Sequence, residues 1–415
     1  MSSTANMVVS SSSSYLSSSY DGRHSASTTT PVATAIFSSN KSNVASDATS
    51  NMNFIISNGH DEKEITEDQV STLKQQGFTT GLANAISENC NVFPLRMWVV
   101  DNSGSMNTAD GHRILETVNQ KNMKIVNSTR WEEIKECVNY HAQMSALLNA
   151  PTVFRLLNDP GARLGGKAFC VADKGKELAQ QDIANARSTM NKISPGGLTP
   201  LTEHVLEIQQ IARSLAPQLR TNGQKVVIAL ATDGIPTDDE GYSGAFVRKQ
   251  FVDALRLLEG LPVWIVIRLC TDDDEVVNFY NDIDEQLELS IEVLDDFVGE
   301  AKEVYEHNKW LNYALPLHRC REMGFHDRVF DLIDERTLTR TEVRQFCVLI
   351  FGKNMFDGVP DPEIDWMGFV NAIARMLRKE KNQWNPIEKK MMPWIDIKAL
   401  NSVYGSEACM PCSIL

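Results

Sequence analysis

Six short, nearly continuous apolar runs constrain this chain more than any other feature of its sequence. They are VFPLRMWVV (92–100), TVFRLLN (152–158), GKAFCVA (166–172), KVVIALAT (225–232), LPVWIVIRL (261–269) and LSIEVL (289–294). A strand with one wet face alternates apolar and polar residues, whereas a run apolar throughout suits a strand covered on both faces, as in a parallel sheet. Between the runs lie amphipathic helical patterns: WEEIKECVNYHAQMSALL, GKELAQQDIANARSTMNKI, PLTEHVLEIQQIARSLA, SGAFVRKQFVDALRLLE and EVVNFYNDIDEQLE. Strands alternating with helices predict an α/β fold with a doubly wound, mostly parallel sheet over 89–300. Ligands of such sheets bind at the carboxyl ends of the strands.

The rest of the 415 residues exceeds what one core usually supports, so a further region is expected. Residues 301–415 are mostly helical in pattern, and 61–88 read as a short helical lead-in. Residues 1–60 are rich in Ser, Thr and Asn, with ten serines in the first twenty, too polar to offset the entropy of ordering. Disorder is the expectation there. A transit peptide is the alternative, but Arg23 and Lys41 are its only strong cations.

The net charge of −14 disfavours nucleic acid or an acidic membrane surface as the main partner. The eight cysteines sit mostly in apolar-periodic segments, without a secretory signal before them, which fits reduced thiols in the cytoplasm. No stretch is long and apolar enough to span a bilayer.

One strand end carries a chemical pattern. After Trp98–Val100 come Asp101, Ser103 and Ser105, and alternate residues of extended chain point the same way. One carboxylate and two hydroxyls converging on a point make half a site for a hard cation. Two more pieces supply the remainder: Thr199, in the Gly-rich loop SPGGLTPLTEH, and Asp233, at the end of the run beginning at Lys225.

Taken together, Asp101-x-Ser103-x-Ser105, Gly-x-Thr199-x-Leu201 and Thr-Asp233-Gly resemble the metal-ion-dependent adhesion site of the von Willebrand factor type A domain. The resemblance covers residues 89–300, about half of the chain. It implies Asp101, Ser103 and Ser105 as first-loop ligands, Thr199 as second-loop ligand, and Asp233 binding directly or through water. It also implies a magnesium or manganese ion whose free coordination position takes an Asp or Glu of a protein partner. Two carboxylates against three neutral hydroxyls leave such an ion positive enough to attract an outside carboxylate. Departures are a long insert after Ser105 and the absence of recognisable C2, AAA or transmembrane modules. The expected function is therefore non-enzymatic, metal-dependent protein binding. The alternatives are a scaffold whose metal only stiffens the loops, and a metal-assisted hydrolase. A plainer reading has the serines capping a turn and Asp233 capping a helix.

Other features compete less well. DNSGSM is not a nucleophile elbow, and no histidine stands in a supporting motif; His204 reads as a helix residue and His112 as a rim residue. In the insert, two β-prone runs flank Asn119–Asn122 and predict a hairpin beside the first strand's carboxyl end, either a surface excursion or a rim that shapes access. FDLIDERTLTRTEVRQF, from Asp331 with Glu342 at the twelfth place, and DGVPDPEIDWMGF, from Asp357 with Asp361 and Asp365, resemble EF-hand loops. Both lack the glycine at the sixth place, so a helix–loop–helix without calcium is expected. The end of the chain, Cys412-Ser413-Ile414-Leu415, matches a prenylation pattern, and Cys409 could carry a second lipid. Membrane attachment is expected only if that tail is lipidated, because one lipid alone anchors weakly.

Overall fold

The computed structural model describes residues 64–405, apart from 117–122, 162, 165 and 272. The Ser-rich segment 1–60, the hairpin tip at Asn119–Asn122, and Cys409 and Cys412 lie outside the described residues.

The apolar runs form a six-stranded sheet. Its strands are β1 (Leu95–Val100), β4 (Thr152–Leu156), β5 (Ala168–Val171), β6 (Val226–Thr232), β7 (Val263–Leu269) and β8 (Ile291–Leu294). The order is β5-β4-β1-β6-β7-β8, parallel except for β5, which runs antiparallel to β4. Only Leu157–Lys167 separates β4 from β5, with no helix among its described residues. A connection without a crossover helix returns the chain antiparallel, so β5 closes the edge as a hairpin strand. A second pair, β2 (Gly111–Glu116) and β3 (Met123–Ser128), is the expected hairpin, separate from the main sheet. A third, β9 (Gln383–Asn385) with β10 (Lys390–Met392), lies near the end of the chain.

The first helices are α1 (Glu67–Gln75) and α2 (Thr80–Val92). Those of the sheet region are α3 (Arg130–Leu148), α4 (Ala179–Lys192), α5 (Leu201–Asn222), α6 (Ala245–Arg256) and α7 (Asp274–Gln286). Beyond the sheet come α8 (Phe297–His307), α9 (Leu315–Glu322), α10 (Arg328–Glu335), α11 (Arg340–Phe351), α12 (Trp366–Leu377) and α13 (Ile397–Tyr404).

Alternation along β1 distributes the core. Leu95, Met97 and Val99 pack under α5, α6 and α7, while Trp98 and Val100 pack under α3 and α4. Both faces are thus covered, which explains why the central runs are apolar throughout. The chain runs from β1 outward through β4 to β5, then restarts at β6 on the other side. The order therefore reverses between β1 and β6, the point at which sheets of this kind have their ligand crevice, at the carboxyl ends of the strands.

The boundaries expected at 88 and 300 are not breaks in packing. Leu73, Leu82 and Ile86 of α1 and α2 share one core with Leu317, Phe346 and Ile373 of the late helices. At Gly81 an added Cβ would lie 2.2 Å from the Gly352 nitrogen, so α2 meets the end of α11 backbone to backbone. Arg96, buried in β1, donates to the carbonyl oxygens of Phe93 and Met323 at 3.0 and 3.1 Å, tying the sheet to the end of α9. The EF-hand-like segments are used locally. Asp331 lies within α10, Glu342 completes a capping box with Thr339, and Asp365 caps α12.

Candidate functional site

Asp101 follows β1 directly and Ser103 is extended, as the alternation requires. Ser105 arrives differently, on a single 3-10 turn over Gly104–Asn107. Asp101 Oδ1 accepts from the Ser103 amide at 2.8 Å, and its Oδ2 from Thr232 Oγ1 at 2.6 Å. The hydroxyls of Ser103 and Ser105 are 3.0 Å apart, and Ser105 donates to Asp233 Oδ1 at 2.8 Å. Asp233 comes from the loop after β6, so the two strand ends flanking the crevice each deliver a carboxylate.

Thr199 comes from the loop before α5, which is tied to both neighbours. Gly104 N donates to the Gly197 carbonyl at 3.1 Å, and Gly196 N to the Asn102 carbonyl at 2.8 Å. The Thr199 amide donates to Thr237 Oγ1, and Thr237 N returns a bond to the Thr199 carbonyl, both at 2.9 Å. A Cβ added at Gly234 would stand 3.8 Å from Thr199 Oγ1, which places that hydroxyl beside Asp233. Asp101, Ser103, Ser105, Thr199 and Asp233 therefore lie together.

Asp101 is fully buried. Burial, then the neighbouring Asp233 carboxylate, push its carboxyl up to about 6, although bonds from Thr232 and Ser103 favour the ion. Two buried carboxylates this close repel each other, and a shared cation relieves the repulsion.

Sequence reasoning missed a cation that the protein itself supplies. Arg130 Nη1 lies 2.9 Å from Asp233 Oδ2, while its Nε and Nη2 hold both oxygens of Asp110 at 2.7 and 2.6 Å. Asp110 and Arg130 are the two ends of the insert. The described strands of the hairpin between them pack elsewhere. The His112 amide donates to Glu133 and its Nδ1 stands 2.9 Å from Asp296, while Ile114, Met123 and Ile125 pack against the core of the late helices. Those aliphatic residues drew the hairpin away from the crevice. Thr232 was also overlooked, although it stands within the Thr-Asp233-Gly motif.

His204 is spent on structure. It is buried, and its ring nitrogen Nε2 donates to the Leu157 carbonyl at 2.9 Å. Burial, then the charges of Lys167 and Arg155, push its pKa down to about 3. The folded state thus binds fewer protons than the unfolded state between about pH 3 and the ordinary histidine value, so stability falls as pH drops through that window. At about pH 5 the loss from this residue should be about 2 kcal/mol relative to neutral pH. Urea unfolding of the parent and of His204→Gln checks it: the variant should show a shallower acid loss by that amount, and equal slopes would refute the assignment.

No family model matches the chain, and no curated protein matches it. Among solved structures, a point mutant of the PilB minor pilin from Streptococcus sanguinis aligns with a TM-score of 0.32 and 13% identity. That alignment covers 49% of this chain and spans 57% of the pilin chain, a likeness too slight to carry any argument. No helix among the described residues is long and apolar enough to cross a membrane.

Proposed function

We propose that this chain is a non-enzymatic protein-binding module of the von Willebrand factor A type. A magnesium or manganese ion held by Asp101, Ser103, Ser105, Thr199 and Asp233 recruits an Asp or Glu of a partner. The observation that carries this reading is the meeting of five oxygen-bearing residues from three loops at the crevice where the strand order reverses. Oxygen-only donors with few carboxylates suit a hard dication that keeps exchangeable waters. The surroundings suit a protein ligand. Leu198 and Tyr242, the latter 69% exposed, flank the Thr199 loop and offer apolar contact next to the charge.

The scaffold alternative is less well supported, because direct hydrogen bonds already tie the three loops and stiffness needs no ion. The hydrolase alternative finds no general base in His204 or His112, whose rings face the Leu157 carbonyl and Asp296.

Calorimetric titration of the full chain with magnesium and manganese tests the ion, and paired pull-downs with magnesium or with chelator test the partner. No binding of either metal overturns the proposal. Binding without metal-dependent capture would favour the scaffold.

Arg130 adds a prediction. Its guanidinium competes with a dication for Asp233, so Arg130→Gln should tighten magnesium binding about tenfold, roughly 1.4 kcal/mol. Unchanged or weaker binding in the same calorimetry would show that Arg130 instead positions Asp233 for the ion.

A further inference from the structure

Away from the crevice, where α3 meets α9, a second group of ligating side chains has a different chemistry. On α3, Cys137 and His141 stand four residues apart, and on α9 so do His318 and Glu322. That spacing puts each pair on one helix face, and the two faces meet. Cys137 Sγ lies 3.3 Å from Glu322 Oε1, and His141 Nε2 lies 2.9 Å from Oε2. One ligand atom from each of these three residues fits within 4.8 Å of the others. His318 Nε2 approaches Glu322 Oε1 at 3.5 Å.

We propose that Cys137, His141, His318 and Glu322 form a binding site for a zinc-class ion, which clamps the sheet to the late helices. Thiolate, imidazole and carboxylate together suit zinc, whereas magnesium prefers oxygen alone. Four protein ligands and complete burial are the marks of a structural site, closed to substrate.

Three observations favour an ion over a simple ion-pair network. First, a cavity of about 30 Å³ lies against Cys137, His318 and Glu322, room enough for an ion or a water. Second, His318 Nε2 is buried without a close hydrogen-bond partner, standing 3.5 Å from Glu322 Oε1. Third, the charges leave room for it. Glu133, Glu136, Asp296 and Glu322 face the cavity together with Arg268 and Arg319, a net of two negative charges. Binding replaces the Cys137 S–H bond with a metal–sulfur bond and releases the proton to solvent. A dication plus the new thiolate then reduces that net charge to one negative. Arg319, whose Nη1 is 2.7 Å from Glu322 Oε2, would orient the carboxylate from outside the ligand shell. Cys137, His141 and Glu322 are grouped closely enough for zinc bonds of about 2.0–2.3 Å, and His318, just outside that group, would swing in as the fourth ligand.

The test uses the full chain, produced in zinc-supplemented medium, purified without chelator and assayed for zinc by mass spectrometry. About one ion per chain is expected in the parent and in Asp101→Ala, with near-complete loss in Cys137→Ser and His318→Gln. Should those variants fail to fold, cobalt substitution of the parent decides: an intense visible spectrum with a thiolate-to-metal band is expected. A parent that holds no zinc, and that shows no such band when titrated with cobalt after chelation, overturns the proposal. Full zinc retention in a folded Cys137→Ser overturns it as well.

Discussion

Asp101→Asn should abolish magnesium binding while leaving the metal-free fold nearly as stable as the parent. The substitution removes the charge that anchors the first loop of the proposed site, and loss of a formal charge at a dication should cost at least about 100-fold in affinity. The side chain keeps its shape. An amide oxygen can still accept from the Ser103 amide, now at 2.8 Å, and the Thr232 hydroxyl can rotate to a new acceptor such as the Gly234 carbonyl, 3.4 Å away. Ionisation of Asp101 is also opposed by burial and by Asp233. Removing its charge relieves that repulsion. The diagnostic result is therefore a crossing. In chelator the two proteins should melt within about 1 kcal/mol of each other, whereas at magnesium 100-fold above the parent's Kd the parent alone should gain about 2.7 kcal/mol. Thermal melts with and without the ion, beside calorimetry, would show it. Equal magnesium stabilisation of both proteins would refute the site, and a variant unfolded in chelator would make Asp101 a structural residue.

How far this could be seen in the sequence depends on the range of the interaction. The runs at 225–232 and 261–269 were readable because β6 and β7 are central strands and every residue in them is buried. The direction of β5 was not, since it depends on the missing helix between β4 and β5 and not on the composition of the strand. Asp101 and Ser103 were readable from local alternation, and Thr199 and Asp233 from their place at loops and strand ends. Arg130 was not, because nothing in its own neighbourhood marks it; only the folding of the insert carries it 103 residues along the chain to Asp233. The same holds for the group at the joint. His141 and Glu322 are 181 residues apart, and each helix by itself reads as an ordinary amphipathic segment. The hairpin shows the intermediate case. Its strands were legible, but where it docks depends on Ile114 and Ile125 finding the late helices.

Glu322→Gln should be the most destabilising single change at that joint, by about 3–5 kcal/mol. Glu322 is entirely buried and faces Arg319 at 2.7 Å, His141 at 2.9 Å and Arg268 at 3.6 Å. Burial alone would push its carboxyl up, but Arg319 and His318, with a bond from His141, hold it well below the ordinary glutamate range. A folded-state pKa depressed in this way adds stability above the unfolded value and loses it as pH falls below that value. Neutralising the side chain leaves Arg319 buried without its partner, and Arg268 with Glu133 alone. An uncompensated buried charge costs far more than the pair itself contributes. The loss would be felt at the seam, because Glu322 closes α9 while His141 and Cys137 belong to α3, so loosening there should first separate the late helices from the sheet. The exposed pair Lys249–Asp253 provides the contrast: with side chains 72% and 45% exposed, Asp253→Asn should cost under about 0.5 kcal/mol. Urea unfolding of the parent and both variants reads the difference, and amide exchange locates it. A Glu322→Gln protein as stable as the Asp253→Asn control would mean that the joint is held by its apolar packing alone, by Leu317 and Cys320 of α9 against the core they share with Met144 and Leu148 of α3.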